Sequence, residues 1–154
     1  MSEITDQEAY NRMTQYCATA EHCRSEIIDK LQRWGIAYTS IDAIVRQLEQ
    51  EGFIDEERYC EAFVNDKFRL EHWGKLKIAQ ALQVKKIAPT TYLPFVNAID
   101  RTEYMAQLSS LLASKRKSIH ADTERERREK LMRFAASRGY EVSDILEVVK
   151  GEPL

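Results

Sequence analysis

Apolar residues recur along this chain at spacings of three and four, in blocks that themselves repeat. Ile27, Ile28, Leu31 and Trp34 share one face of a predicted helix. Gly35 follows, where a left-handed helix stop is expected because a Cβ in that conformation is costly. Ile36 turns back into the core, Thr39 is placed to cap the next helix through its hydroxyl, and Ile41, Ile44, Val45 and Leu48 make that helix's apolar stripe. A shift of 51 residues lands on Leu82, Lys86, Ile87, Thr90, Tyr92, Phe95, Val96 and Ile99. A further shift of 53 lands on Ala135, Gly139, Tyr140, Ser143, Ile145, Val148 and Val149. Thr90 and Ser143 take the capping place of Thr39, and Gly139 the place of Gly35. Lys86 stands where the glycine should be; a left-handed lysine costs about 1 kcal/mol, so that turn is expected to differ.

A further helix precedes each pair. The first runs from about Gln7 to Ala20, with Tyr10, Met13, Tyr16 and Cys17 on one side. The second is capped by Asp55 and buries Tyr59, Ala62, Phe63 and Val64; the third carries Tyr104, Leu108, Leu111 and Leu112 toward Ser118. Pro89 is read as a turn residue, and Pro94 as lying in the first turn of a helix that begins near Leu93. Apolar spacing repeats in any helical protein, but turn, cap and stripe matched three times favour a true repeat. The expected fold is all-α: about nine helices in tandem three-helix repeats, divided 1–52, 53–100 and 101–154, stacked in an elongated, curved array. Such a surface suits a long partner better than a small molecule.

Composition agrees with helices whose outer faces are well solvated. Of the 154 residues 31% are charged and 44% apolar, with only five Gly and three Pro to make loops. No apolar run approaches the roughly 18 residues a membrane span needs, and MSEITDQEAY lacks a signal-peptide core. A cytoplasmic location without membrane contact is expected. Cys17, Cys23 and Cys60 lack the paired spacing of a zinc site and read as free, packed thiols.

Charge adds a polarity along the chain. Residues 1–66 carry 6 Lys/Arg against 14 Asp/Glu, whereas residues 67–154 carry 17 against 11. The second part is expected to meet a polyanion. Its candidate contacts are Lys67, Arg69, Lys75, Lys77, Lys85 and Lys86, then Lys115, Arg116 and Lys117, then Arg125, Arg127, Arg128, Arg133 and Arg138. The bland reading is a solvated face, with Glu124, Glu126 and Glu129 pairing the arginines between them. Phe68 is expected in the core, while Trp73 beside Gly74 is open between core and surface. Asp55, Glu56 and Glu57 sit at a helix start, where negative charge favours the dipole, rather than in an acid–base site. His22, His72 and His120 are scattered, and no catalytic motif or cofactor loop is present in the sequence, so no enzyme and no cofactor is expected.

The stretch Ser25–Ile87 resembles the RecX family. It does so through Ser25-Glu26, Lys30-Leu31, Gly35-Ile36, Leu48 and the run Gly52-Phe53-Ile54-Asp55-Glu56-Glu57-Arg58-Tyr59. Ala62-Phe63-Val64, Gly74, Ile78, Leu82 and Lys86-Ile87 continue the pattern, and Leu131–Val149, with Phe134, Arg138, Gly139 and Tyr140, is similar to that family's third repeat. Glu56 replaces the commoner second Asp, Lys86 the usual Gly, and residues 1–20 match little. The resemblance implies tandem three-helix repeats and binding in the groove of the RecA–single-stranded DNA filament, with restraint of its growth, ATP hydrolysis and strand exchange. A monomer touching DNA only secondarily is expected. The alternative is a free-standing DNA-binding module of the helix-turn-helix kind. Against it, the helix after Thr39 is poor in positive charge.

Overall fold

The computed structural model describes residues 4–151. Among the described residues there are nine α-helices and no strand. They are α1 (Asp6–Thr19), α2 (Arg24–Arg33), α3 (Tyr38–Gln50), α4 (Glu56–Arg69), α5 (Lys75–Val84), α6 (Pro89–Asn97), α7 (Arg101–Arg116), α8 (Glu124–Ser137) and α9 (Val142–Gly151). The all-α repeat read from the apolar pattern is therefore the fold.

The three predicted turns are built alike. Gly35, Lys86 and Gly139 all have positive φ, at +76°, +62° and +97°. Each donates its N–H to the carbonyl three residues back: Gln32 at 3.0 Å, Gln83 at 2.9 Å and Ala136 at 3.0 Å. The next residue donates to the carbonyl five back: Ile36 to Leu31, Ile87 to Leu82 and Tyr140 to Ala135. This double closure satisfies carbonyls that a helix end leaves bare. The Lys86 turn thus does not differ, contrary to expectation: Lys86 adopts the left-handed conformation. Ile36, Ile87 and Tyr140 are buried at equivalent corners.

The predicted caps are displaced. The carbonyls of Ala37, Ala88 and Glu141 accept the first helical bonds, from Ile41, Tyr92 and Ile145. Thr39, Thr90 and Ser143 are consequently each the second residue of their helix, not its cap. The double closure leaves only four residues between helices, so the chain is helical again before it reaches the hydroxyl. Pro89 opens α6 instead of occupying a turn, and Pro94 lies inside that helix. Proline is favoured at a first helical position, where its missing N–H is no loss. Pro94 removes one bond from a helix that ends at Asn97. Side-chain caps stand at the leading helices, where Thr5 accepts from Glu8 N–H, Asp55 from Arg58 N–H and Asp100 from Glu103 N–H, at 3.1, 3.1 and 2.9 Å, and at α8, where Thr123 accepts from Glu126 N–H at 3.1 Å.

The chain forms two compact units. One takes the described residues up to Phe63 together with Leu82–Tyr92; the other takes Val64–Ala81 and the described residues from Leu93. The first unit packs α1 and α2 against α3 around Met13, Ile27, Leu31, Ile44 and Leu48. Cys23 and Cys60 are fully buried, Cys17 half-buried. Burial, then the nearby Glu56 carboxylate, pushes the Cys60 thiol up to about 11. The second unit packs α7, α8 and α9 mutually around Leu108, Leu112, Leu131, Ala135 and Ile145. Phe68 is buried there, as expected. No helix among the described residues is long and apolar enough to cross a membrane.

Candidate functional site

Within the second unit the loop before α5 meets the turn between α8 and α9 backbone to backbone. Gly74 N–H donates to Arg138 O at 2.7 Å, and Leu76 N–H donates to Gly139 O at 2.9 Å. A Cβ on Gly74 would overlap the Gly139 carbonyl group and lie 2.5 Å from Tyr140 N. One on Gly139 would overlap Lys77 Cβ and lie 2.6 Å from Lys77 N. Both positions therefore need glycine for contact, and Gly139 needs it for φ as well.

Two tyrosines finish this junction. Lys75 N–H donates to Tyr104 Oη at 2.9 Å. Gln107 Nε2 donates to Tyr140 Oη at 2.8 Å, and Tyr140 Oη donates to His72 O at 3.1 Å. The two rings are tilted against each other with centroids 5.1 Å apart. Burial raises the pKa of both hydroxyls, so both keep their protons. His72, Tyr104 and Gln107 were not among the sequence candidates. The signal that could have pointed to them is Gly74, which has no counterpart among the turn glycines of the repeat.

The basic candidates divide by what lies against their charge. Lys85 and Lys86 are in the first unit and the other twelve in the second. Arg69 faces Glu103 at 3.2 Å, Lys85 faces Glu26 at 3.1 Å, and Arg116 faces Glu124 at 3.9 Å. On α8, Arg125 pairs with Glu129 at 3.3 Å and Arg127 with Glu124 at 3.5 Å. Intrahelical pairing of this kind is the bland reading of that arginine run, realised for those two. Arg128 buries its Nε without a hydrogen-bond partner among the described residues.

A different group lies on aromatic rings. The Lys67 and Lys77 ammoniums sit 4.8 and 4.5 Å from the centroid of half-buried Trp73. Lys75 is 4.9 Å from the Tyr104 ring. Lys115 and Arg138 lie 4.8 and 5.3 Å from the ring of half-buried Phe134. Trp73, left open by the sequence, is thus a half-buried support for two lysines. Lys86, Lys117 and Arg133 are exposed.

The first unit holds a groove between α2 and α3, about 370 Å³, lined by Ile28, Tyr38, Ile41 and Val45 and edged by the Arg24–Glu49 and Arg46–Asp42 pairs. Among the described residues no group of three or more His, Cys, Asp or Glu is arranged to hold a metal ion.

Repeated helix–turn–helix closures define an all-α helical repeat protein. Comparison with known proteins agrees at the level of family. The models for "RecX, second three-helix domain" and "RecX, third three-helix domain" match residues 55–91 and 102–149. The regulatory protein RecX of Herminiimonas arsenicoxydans is 30% identical over 129 residues, spanning 84% of this chain and 82% of its own. That of Chlorobium phaeobacteroides is 28% identical over 149 residues, spanning 97% and 96%. The crystal structure of RecX from Lactobacillus salivarius shares the fold, with a TM-score of 0.85 at 19% identity over 94% of each chain. This chain belongs to the RecX family.

Proposed function

We propose that this protein regulates the RecA recombinase by binding its filament on single-stranded DNA, lowering ATP hydrolysis, filament growth and strand exchange during recombination and DNA repair in the SOS response. The observation that carries the reading is family membership: the relatives are named regulatory proteins, spanning nearly all of this chain. Three repeats, divided 1–52, 53–100 and 101–154, supply a serial surface, and many modest contacts along a polymer give avidity that a single RecA subunit would not. The protein acts as a cytoplasmic monomer, without enzymatic activity or cofactor. DNA phosphates are its secondary contact, through the basic second unit.

The test is the DNA-dependent ATPase of RecA on single-stranded DNA, titrated with this protein. Expected is saturable inhibition, together with much tighter retention on DNA that carries RecA and nucleotide than on bare DNA. Equal binding to bare DNA, with no inhibition at saturation, would overturn the reading in favour of a free-standing DNA-binding module.

A further inference from the structure

We infer that Lys77, Lys115 and Arg138, held on the rings of Trp73 and Phe134 in the second unit, form a surface that takes the phosphates and bases of single-stranded DNA. The choice of DNA as ligand rests on the proposed function; the choice of place rests on geometry. Among the described residues no ion pair joins these three cations to a carboxylate, whereas Arg125 and Arg127 are already engaged with Glu129 and Glu124. A ring contact is weak at an exposed site and leaves the positive charge in being, so an arriving phosphate has no ion pair to break.

The two ring-and-cation groups are neighbours by construction. Trp73 immediately precedes Gly74, whose N–H is bonded to the carbonyl of Arg138, and Gly139 abuts the backbone of Lys77. The first N–H groups of α5 are consumed at this junction by Tyr104 Oη and Gly139 O. An anion must therefore be met by side chains rather than by the start of the helix. Cations interleaved with partly exposed aromatic rings suit a single strand, whose bases are free to stack, better than a duplex, whose base faces are covered.

The experiment measures binding of labelled oligo(dT) at several low salt concentrations, without RecA, for the wild type, a Lys77→Gln/Arg138→Gln variant and an Arg125→Gln/Arg127→Gln variant. Helix content and denaturation midpoint are checked for each. Expected is about tenfold weaker binding by the first variant and a salt slope smaller by about 1.4, roughly 0.7 per lost phosphate contact. The second variant should bind like wild type. With Trp34→Phe as background, oligo(dT) should also alter Trp73 emission. Unchanged affinity and slope in the first variant would overturn the inference, as would displacement of oligo(dT) by polyglutamate at equal charge. RecA inhibition is read separately on the same proteins. Its absence in wild type, with the oligo(dT) result as expected, removes the proposed function and leaves the site. Intact inhibition with unchanged oligo(dT) binding in the first variant removes the site alone.

Discussion

Two glycines of this chain, alike in sequence context, should differ sharply when replaced by alanine. Gly35 and Gly139 occupy equivalent turns with φ of +76° and +97°. A Cβ on Gly35 meets nothing within 4 Å. Its replacement costs the left-handed conformation, about 1–2 kcal/mol, offset by about 0.5–1 from a stiffer unfolded chain, leaving roughly 1 kcal/mol or less. Gly139→Ala carries the same sum and adds a collision with Lys77 Cβ and N and a 3.0 Å contact with Gly74 O. Those neighbours are backbone or backbone-fixed. Relief comes only from strain, at about 1–3 kcal/mol, or from parting the junction. Parting it strands buried partners of the Gly74–Arg138 and Leu76–Gly139 bonds, at a similar cost for each. The expected loss is roughly 1–4 kcal/mol for Gly139→Ala. Urea denaturation measures it, with Trp34 reporting the first unit and Trp73 the second. A Gly139→Ala loss within about 0.5 kcal/mol of the Gly35→Ala loss would refute the close approach on which the junction is built.

Leu31 is fully buried in the first unit, so Leu31→Ala should cost about 2–5 kcal/mol in the same assay; under about 0.5 would misplace that core. Burial works against the Glu26 carboxylate, but the Cys23 N–H and Lys85, at 3.1 Å each, outweigh it and hold its pKa below the ordinary 4.5. Its stabilisation is then present above about pH 4.5 and lost as pH falls through the depressed native value, so Glu26→Gln should be less stable than wild type near neutrality and equal to it in acid. A gap that persists unchanged into acid would contradict this. Iodoacetamide applied briefly to the native protein should label half-buried Cys17 before Cys23 or Cys60, as read by mass spectrometry of peptides; Cys60 labelled first would contradict its burial.

The fold was legible because its signals are local. Spacing of Ile41, Ile44, Val45 and Leu48 states a helix face, and Gly35 and Gly139 state where a helix must stop. The errors were also local, and regular. Thr39, Thr90 and Ser143 all fall one place inside their helices, because the preceding double closure returns the chain to helix sooner than a hydroxyl cap would require. A recurring hydroxyl marks a repeat register even when it does not cap. Lys86 shows the opposite lesson. Its side chain penalises the turn, yet Leu82, Ile87 and Tyr92 on either side are buried and hold the same geometry.

The candidate site was less legible for a physical reason. A run of lysines and arginines gives the sign of a surface, but its capacity for phosphate depends on what already faces each charge. Arg125 and Arg127 stand among the candidates in sequence and are held by carboxylates on their own helix. Such pairing lies within reach of sequence, since partners three and four places apart share a helix face. The ring contacts do not all share that spacing. Arg138 is four places from Phe134, but Lys115 reaches Phe134 from the preceding helix. The adjacency of Trp73 to Arg138 depends on two glycines 65 positions apart meeting without side chains. Charge availability is thus a tertiary property here. Gly74 and Gly139 bear on it directly: whatever parts them separates the two ring-backed groups, so the same alanine substitution that tests the junction's stability should also weaken oligo(dT) binding while leaving every cation in place.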